Sequence, residues 1–247
     1  MPDPSVSRCA AATFPKGKEQ ERTDVLKLII GNRAYSSWSM RGWLALKQSG
    51  IEFEELVVPL YDESWNQRRE GDEFAPSSGK VPLLWDGDQV VWDSLAIIEY
   101  CADLTSRDLF WPADLGARGM ARSMAAEMHS GFANLRRDLP MNVRRILGPR
   151  SLSEDVKAEI NRILTLWAQA RARHGGTGSF LFGDWGAADM MYAPVVTRFI
   201  TYSVPVPPFA RAYMDAVLTH PHVLEWIDRA QDEPWVIEQY EEPAGTA

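Results

Sequence analysis

The chain has 247 residues and a formal net charge of -8 at pH 7, from 26 Lys and Arg against 34 Asp and Glu. Hydrophobic residues make up 45% and charged residues 24%, the proportions of a globular chain that can bury a core without disulfide or metal staples. An acidic chain without a basic run is a poor partner for nucleic acid or an anionic membrane, and no stretch approaches the ~20 apolar residues of a membrane span. The two cysteines, Cys9 and Cys101, exclude a disulfide framework and a four-cysteine zinc site, and the simplest setting is reducing and cytoplasmic.

Residues 1–25 show no apolar period and read as a disordered extension without the apolar segment of a signal peptide. Residues 241–247 read as a flexible tail. Between them, 26–104 mixes strands and helices. VLKLII, ended by Gly31-Asn32, is a continuous apolar run and reads as a buried strand. Met40 to Gln48 is helical with Gly50 as its stop, and FEELVVPL reads as a second strand. Asp62 to Gly71 is a polar helix or loop. VPLLW and QVVW form a hairpin across Asp86-Gly87-Asp88, and Asp93 opens the helix SLAIIEYCADL. This order predicts a small mixed sheet with helices on its faces.

Residues 105–113 are a Pro-containing linker, and 114–240 reads as helix throughout. Met120, Met124, Met128 and Phe132 recur at spacing four, as on one long helix running towards Pro140. A second helix covers about 152–173, with Ile160, Ile163, Leu164 and Trp167 on one face. A third covers Ala187 to Ile200, and two more are split by His220-Pro221. The expected architecture is an α/β domain followed by an all-α domain.

Three short stretches carry chemistry. In Ser36-Ser37-Trp38-Ser39-Met40-Arg41, serines sit where a strand gives way to a helix. The unpaired N–H groups and positive dipole end of a first turn stabilise an anion, including a thiolate, and a hydroxyl there can donate to the same anion. A plain helix cap explains one serine equally well. In Gly79-Lys80-Val81-Pro82, a proline opening a strand turns the Val81 backbone outward, where it can pair with an extended peptide, although an ordinary edge-strand proline has the same look. At Asp93-Ser94 a carboxylate and a hydroxyl at a helix start suit the ammonium and carboxylate of an amino-acid head group; here too a cap alone is an alternative.

Together, in this order and spacing, the three stretches resemble the glutathione transferase family over residues 26–235. SSWSMR and WDSLAIIEY are most similar to the serine-type, zeta-class and bacterial zeta-like members. The resemblance implies a thioredoxin-like domain followed by an all-helical domain, glutathione as co-substrate, a homodimer with one glutathione site per subunit, and no metal. It makes Ser36 the hydroxyl that activates the glutathione thiol, with Ser37 the neighbouring candidate, and gives Arg41 a structural role. Val81 is expected to pair with the cysteinyl part of glutathione, with Pro82 cis, Asp93 and Ser94 to hold the γ-glutamyl end, and Lys80 to reach the glycyl carboxylate. A free thiol has a pKa near 8.5, so about 3% is thiolate at pH 7. Lowering that pKa lets the thiolate attack a small apolar electrophile, a detoxification chemistry.

Two departures stand out. Trp38 replaces the cysteine of the zeta motif, which counts against isomerase activity of the zeta type, and Gly186 stands where the family's helix-capping motif has a hydroxyl, with Asp189 still placed to reach back. A glutathione-dependent isomerase and a non-catalytic binding protein remain as alternatives to the transferase. Outside these motifs, Cys101 reads as core, and the Met stripe as core or subunit contact. His220-Pro221-His222 reads as a helix-start turn, and Arg144-Arg145 as a solvated face. By the resemblance, His129, Phe132 and Arg136 lie on the helix that lines the electrophile pocket.

Overall fold

A computed structural model describes residues 25–241. The expectations for the first 24 residues, including Cys9, and for 242–247 lie outside the described residues. The N-terminal part carries strands β1 (Leu26–Gly31), β2 (Phe53–Val58), β3 (Leu83–Asp86) and β4 (Gln89–Trp92), and helices α1 (Ser37–Ser49), α2 (Trp65–Arg69) and α3 (Ser94–Leu104). The sheet order is β2-β1-β3-β4, with β1 parallel to β2 and antiparallel to β3, and β3 and β4 form the hairpin. This is the mixed thioredoxin-like sheet that the sequence predicts.

The unbroken apolar run of β1 follows from burial on both sides, since successive side chains of a strand point to opposite faces. Leu28 and Ile30 join Trp43 and Leu44 of α1 and Ile97, Ile98 and Cys101 of α3 in the main core. Ile29 turns the other way, to Val58, Trp65, Phe74 and Leu83. Gly42 lets α1 approach the turn before β3, because a Cβ there would stand 3.0 Å from Pro82 Cγ.

The C-terminal part is helical: α4 (Leu115–Ser130), α5 (Ala133–Asp138), α6 (Glu154–His174), α7 (Ala187–Thr201), α8 (Pro208–Leu218) and α9 (Pro221–Gln231). Helix α7 is buried along almost its whole length, and Trp167 of α6 packs on its Tyr192 and Phe199. The long helix expected to run on to Pro140 is instead two helices. α4 stops at Gly131, and Phe132 has a φ of 60°. The Arg136 guanidinium reaches back to the Met128 carbonyl, to that of His129 at 3.3 Å and to that of Gly131 at 3.2 Å, satisfying carbonyls that a helix end leaves without partners. Arg144 also departs from the solvated face expected for it. It donates to Tyr35 Oη at 2.6 Å and to the Glu233 and Trp235 carbonyls at 2.8 Å, whereas Arg145 is exposed.

At the start of α7, Asp189 accepts from Gly186 N at 3.0 Å and from Leu181 N at 3.1 Å, the reach-back expected from the sequence. Glycine replaces the hydroxyl residue for a steric reason: a Cβ at Gly186 would lie 2.7 Å from the Phe110 carbonyl oxygen, which accepts from Ala187 N at 2.8 Å. Gly186→Ser is therefore expected to lower stability by about 1–2 kcal/mol in urea unfolding, although serine is intrinsically the better cap.

Burial raises Asp189 to about 7 against the pull of its two N–H partners. The folded state thus binds the extra proton between about pH 4 and 7, and stability falls as pH rises through that window. Asp189→Ala orphans one buried and one part-buried N–H group at a cost of about 2–4 kcal/mol. The advantage of the parent chain over this variant is expected to be largest near pH 4 and to shrink towards pH 7, measured by unfolding at both ends.

Candidate functional site

The loop between β1 and α1 delivers the serines. Ser36 is the N-cap of α1: its Oγ accepts from Ser39 N at 3.3 Å and donates to Ser39 Oγ at 2.8 Å. Ser39 Oγ also accepts from Gly31 N at 2.9 Å, which ties the end of β1 to the first turn of α1. Ser37, the first residue of α1, accepts at Oγ from Arg198 Nη2 of α7 at 3.1 Å. Both serines are nearly buried.

The loop itself is held by the far end of the chain. Glu233, just beyond α9, accepts from Arg33 N at 2.9 Å, Arg33 Nη1 at 3.1 Å and Ala34 N at 3.4 Å, and Trp226 Nε1 donates to the Arg33 carbonyl at 3.1 Å. Arg33 also pairs with Glu55 of β2.

Before β3, the Val81–Pro82 bond is cis. Ser77 Oγ donates to the Lys80 carbonyl at 2.7 Å and accepts from Lys80 N at 3.0 Å, fixing the residue before Val81. Among the described residues, the Val81 N–H and C=O have no hydrogen-bond partner. The Lys80 side chain is exposed.

Asp93 caps α3 through Oδ1, 2.8 Å from Leu95 N, and has a φ of 77° and ψ of 133°, outside the range side-chain-bearing residues ordinarily adopt. Its Oδ2 lies 2.6 Å from Nε2 of His129 on α4. Ser94 is buried, and its Oγ has no hydrogen-bond partner.

Trp38 links the serines to Asp93. Its ring meets the His129 ring edge to face at 5.3 Å, and the guanidinium carbons of Arg41 and Arg136 lie over it at 4.7 and 4.5 Å. Arg41 is fully buried, with Nε 3.0 Å from the Met191 carbonyl and both Nη atoms without a partner. Burial, then Arg136 and Arg198, lower its pKa well below the usual arginine value. Burial and Arg136 likewise bring Arg198 down to about 9, so it stays a cation at pH 7. Around the first turn of α1 the chain thus concentrates positive charge: a helix N-terminus and three guanidiniums for which no carboxylate lies within 4 Å among the described residues.

The structure therefore gathers Ser36, Ser37, Asp93 and Ser94 around the N-termini of the packed helices α1 and α3, with Val81 and Pro82 at the turn against α1. His129 and Arg136 approach from the helical part, and Phe132 is buried beside them. Arg198, Glu233 and the His129–Asp93 contact were not legible as site features, since each depends on contacts between distant parts of the chain.

A thioredoxin-like sheet with a cis-proline turn, joined to a helical domain that reaches the N-termini of α1 and α3, is the two-domain architecture of the transferases that work on a thiol tripeptide. Family models agree. Residues 35–104 match the glutathione S-transferase N-terminal domain, and residues 143–229 match the glutathione S-transferase C-terminal domain. The chain belongs to the glutathione S-transferase family. It is 26% identical over 211 residues to glutathione S-transferase 1 of Dianthus caryophyllus, covering 81% of this chain and 91% of that protein. It is 27% identical over 192 residues to a zeta-class glutathione S-transferase of Euphorbia esula, covering 74% and 80%. The fold matches a glutathione transferase homologue from Burkholderia with bound glutathione, with a TM-score of 0.65 at 22% identity over 85% of this chain and 100% of that one.

Proposed function

We propose that the protein is a glutathione transferase that conjugates the glutathione thiolate to small apolar electrophiles in the cytoplasm, a detoxification chemistry, as a homodimer with one glutathione site per subunit. The observation that carries this reading is the buried Ser94 hydroxyl without a partner. A buried polar group left unsatisfied needs an explanation, and a ligand carboxylate at the start of α3 supplies one.

Asp93 takes the neighbouring ammonium. A carboxylate has about four acceptor positions, and Leu95 N and His129 Nε2 occupy two of them. The unpaired Val81 backbone pairs with the cysteinyl segment as an added strand does, and the exposed Lys80 ammonium takes the glycyl carboxylate. At the start of α1, a serine hydroxyl and the helix dipole stabilise the thiolate. The sulfur forms a bond to the electrophilic carbon, the leaving group departs with its electron pair, and the thiol proton goes to solvent.

The test is incubation with glutathione and chlorodinitrobenzene. Chloride release equal to the glutathione consumed supports a transferase. Glutathione binding without consumption, with isomerised product from a cis-enone probe, supports the isomerase instead. No glutathione binding by calorimetry overturns the reading.

A further inference from the structure

We infer that Ser37, held by the Arg198 guanidinium, is the hydroxyl that donates to the thiolate, and that Ser36 is committed to the helix cap; this rests on the glutathione reading above. A serine hydroxyl has one proton and two lone pairs, whereas a guanidinium only donates. The Arg198 bond at 3.1 Å therefore makes Ser37 Oγ an acceptor from inside the protein and leaves its proton to be given outward. That proton has no acceptor among the described residues. The Ser36 hydroxyl has an acceptor within its own turn, Ser39 Oγ at 2.8 Å, and its oxygen already accepts from Ser39 N. Ser36 thus spends its capacity on closing the first turn of α1, and Ser37 does not.

Arg198 is built to hold this position. Its Nε donates to the Leu139 carbonyl at 2.9 Å and its Nη1 to the Pro194 carbonyl at 3.1 Å, so the planar fork is anchored on two further points before it reaches Ser37. A hydroxyl that accepts from a cation is a stronger donor, because successive hydrogen bonds polarise one another. A cation held without a carboxylate also favours the charged form of a thiol nearby. Arg198 is thus a positioning residue that acts through Ser37.

The test is the pH profile of kcat/KM for chlorodinitrobenzene conjugation, with a thiolate-absorbance titration of bound glutathione, for the parent chain and for Ser36→Ala, Ser37→Ala, Arg198→Lys and Arg198→Met. Ser37→Ala is expected to raise the apparent thiol pKa by at least one unit and to lower kcat/KM at pH 7 about tenfold, with the deficit closing at high pH. Arg198→Met is expected to shift the profile the same way, Arg198→Lys by less, and the Ser37→Ala, Arg198→Met double variant no further than the larger single shift. Ser36→Ala is expected to lower Tm through the lost cap and to leave the midpoint of the profile in place.

A midpoint that moves with Ser36→Ala and not with Ser37→Ala overturns the inference while leaving the transferase standing. So does a Ser37→Ala shift that neither Arg198 variant reproduces. If Arg198→Met does not fold, Arg198→Lys and Ser37→Ala still decide. A parent chain whose bound thiol titrates near 8.5, or that does not bind glutathione, overturns the underlying reading as well.

Discussion

Replacing Glu233 by alanine is expected to lower the unfolding free energy by about 3–5 kcal/mol, which for a chain of this size moves Tm down by roughly 10 °C. The Glu233 carboxylate is buried beside an equally buried Arg33, with side-chain exposures of 4% and 6%. Its removal leaves the Arg33 guanidinium paired with Glu55 alone among the described residues and takes the acceptor from the Arg33 and Ala34 N–H groups. Each orphaned buried donor costs about 1–3 kcal/mol. Because these two residues belong to the loop that delivers Ser36 and Ser37, the same variant is expected to raise KM for glutathione. Glu233→Gln keeps an acceptor oxygen and is expected to lose less. Urea unfolding with and without saturating glutathione checks both parts, and an alanine variant within 1 kcal/mol of the parent would mean that the loop is held by its other contacts.

Asp93→Asn is expected to raise KM for glutathione about 10- to 100-fold, the equivalent of losing one charge-assisted hydrogen bond. The kcat at saturating glutathione is expected to stay within about threefold, because the contact is made equally in the ground and transition states. Asparagine is the informative substitution. Its side-chain oxygen still accepts from Leu95 N, so the cap of α3 survives and the change reads the charge rather than the helix. An unchanged KM would place the ammonium elsewhere.

The parts of this architecture that were legible in the sequence are those written in neighbouring residues. The β1 run, the Asp86-Gly87-Asp88 hairpin and the serines at the strand-to-helix junction each need only a few adjacent positions to be recognised. The break between α4 and α5 was masked because the spacing of Met120, Met124, Met128 and Phe132 continues across it. Gly131 was the local signal, and the Arg136 side chain closing over the carbonyls completes it. Arg144 beside Arg145 has the composition of a wet surface, and only the folded position of Tyr35, 109 residues away, makes it a clasp. The choice between Ser36 and Ser37 has the same character. Within the motif the resemblance puts Ser36 first, and the proposal for Ser37 rests on Arg198, which is 161 residues from Ser37.

The exchange of cysteine for Trp38 has a consequence for how the protein withstands its own chemistry. A catalyst of alkylation works in the presence of reagents that modify any accessible sulfur, and a resident thiol beside the bound substrate is the first casualty. Here Cys101 is sealed in the core of α3 at 0% exposure, and the position next to the paired serines carries an indole backed by guanidiniums. In the conjugation proposed above, and among the described residues, the thiol at the reacting centre is therefore the one that arrives with glutathione and leaves with the product. Under that reading, and among the described residues, a neighbouring thiolate that an electrophile would alkylate is missing from the site.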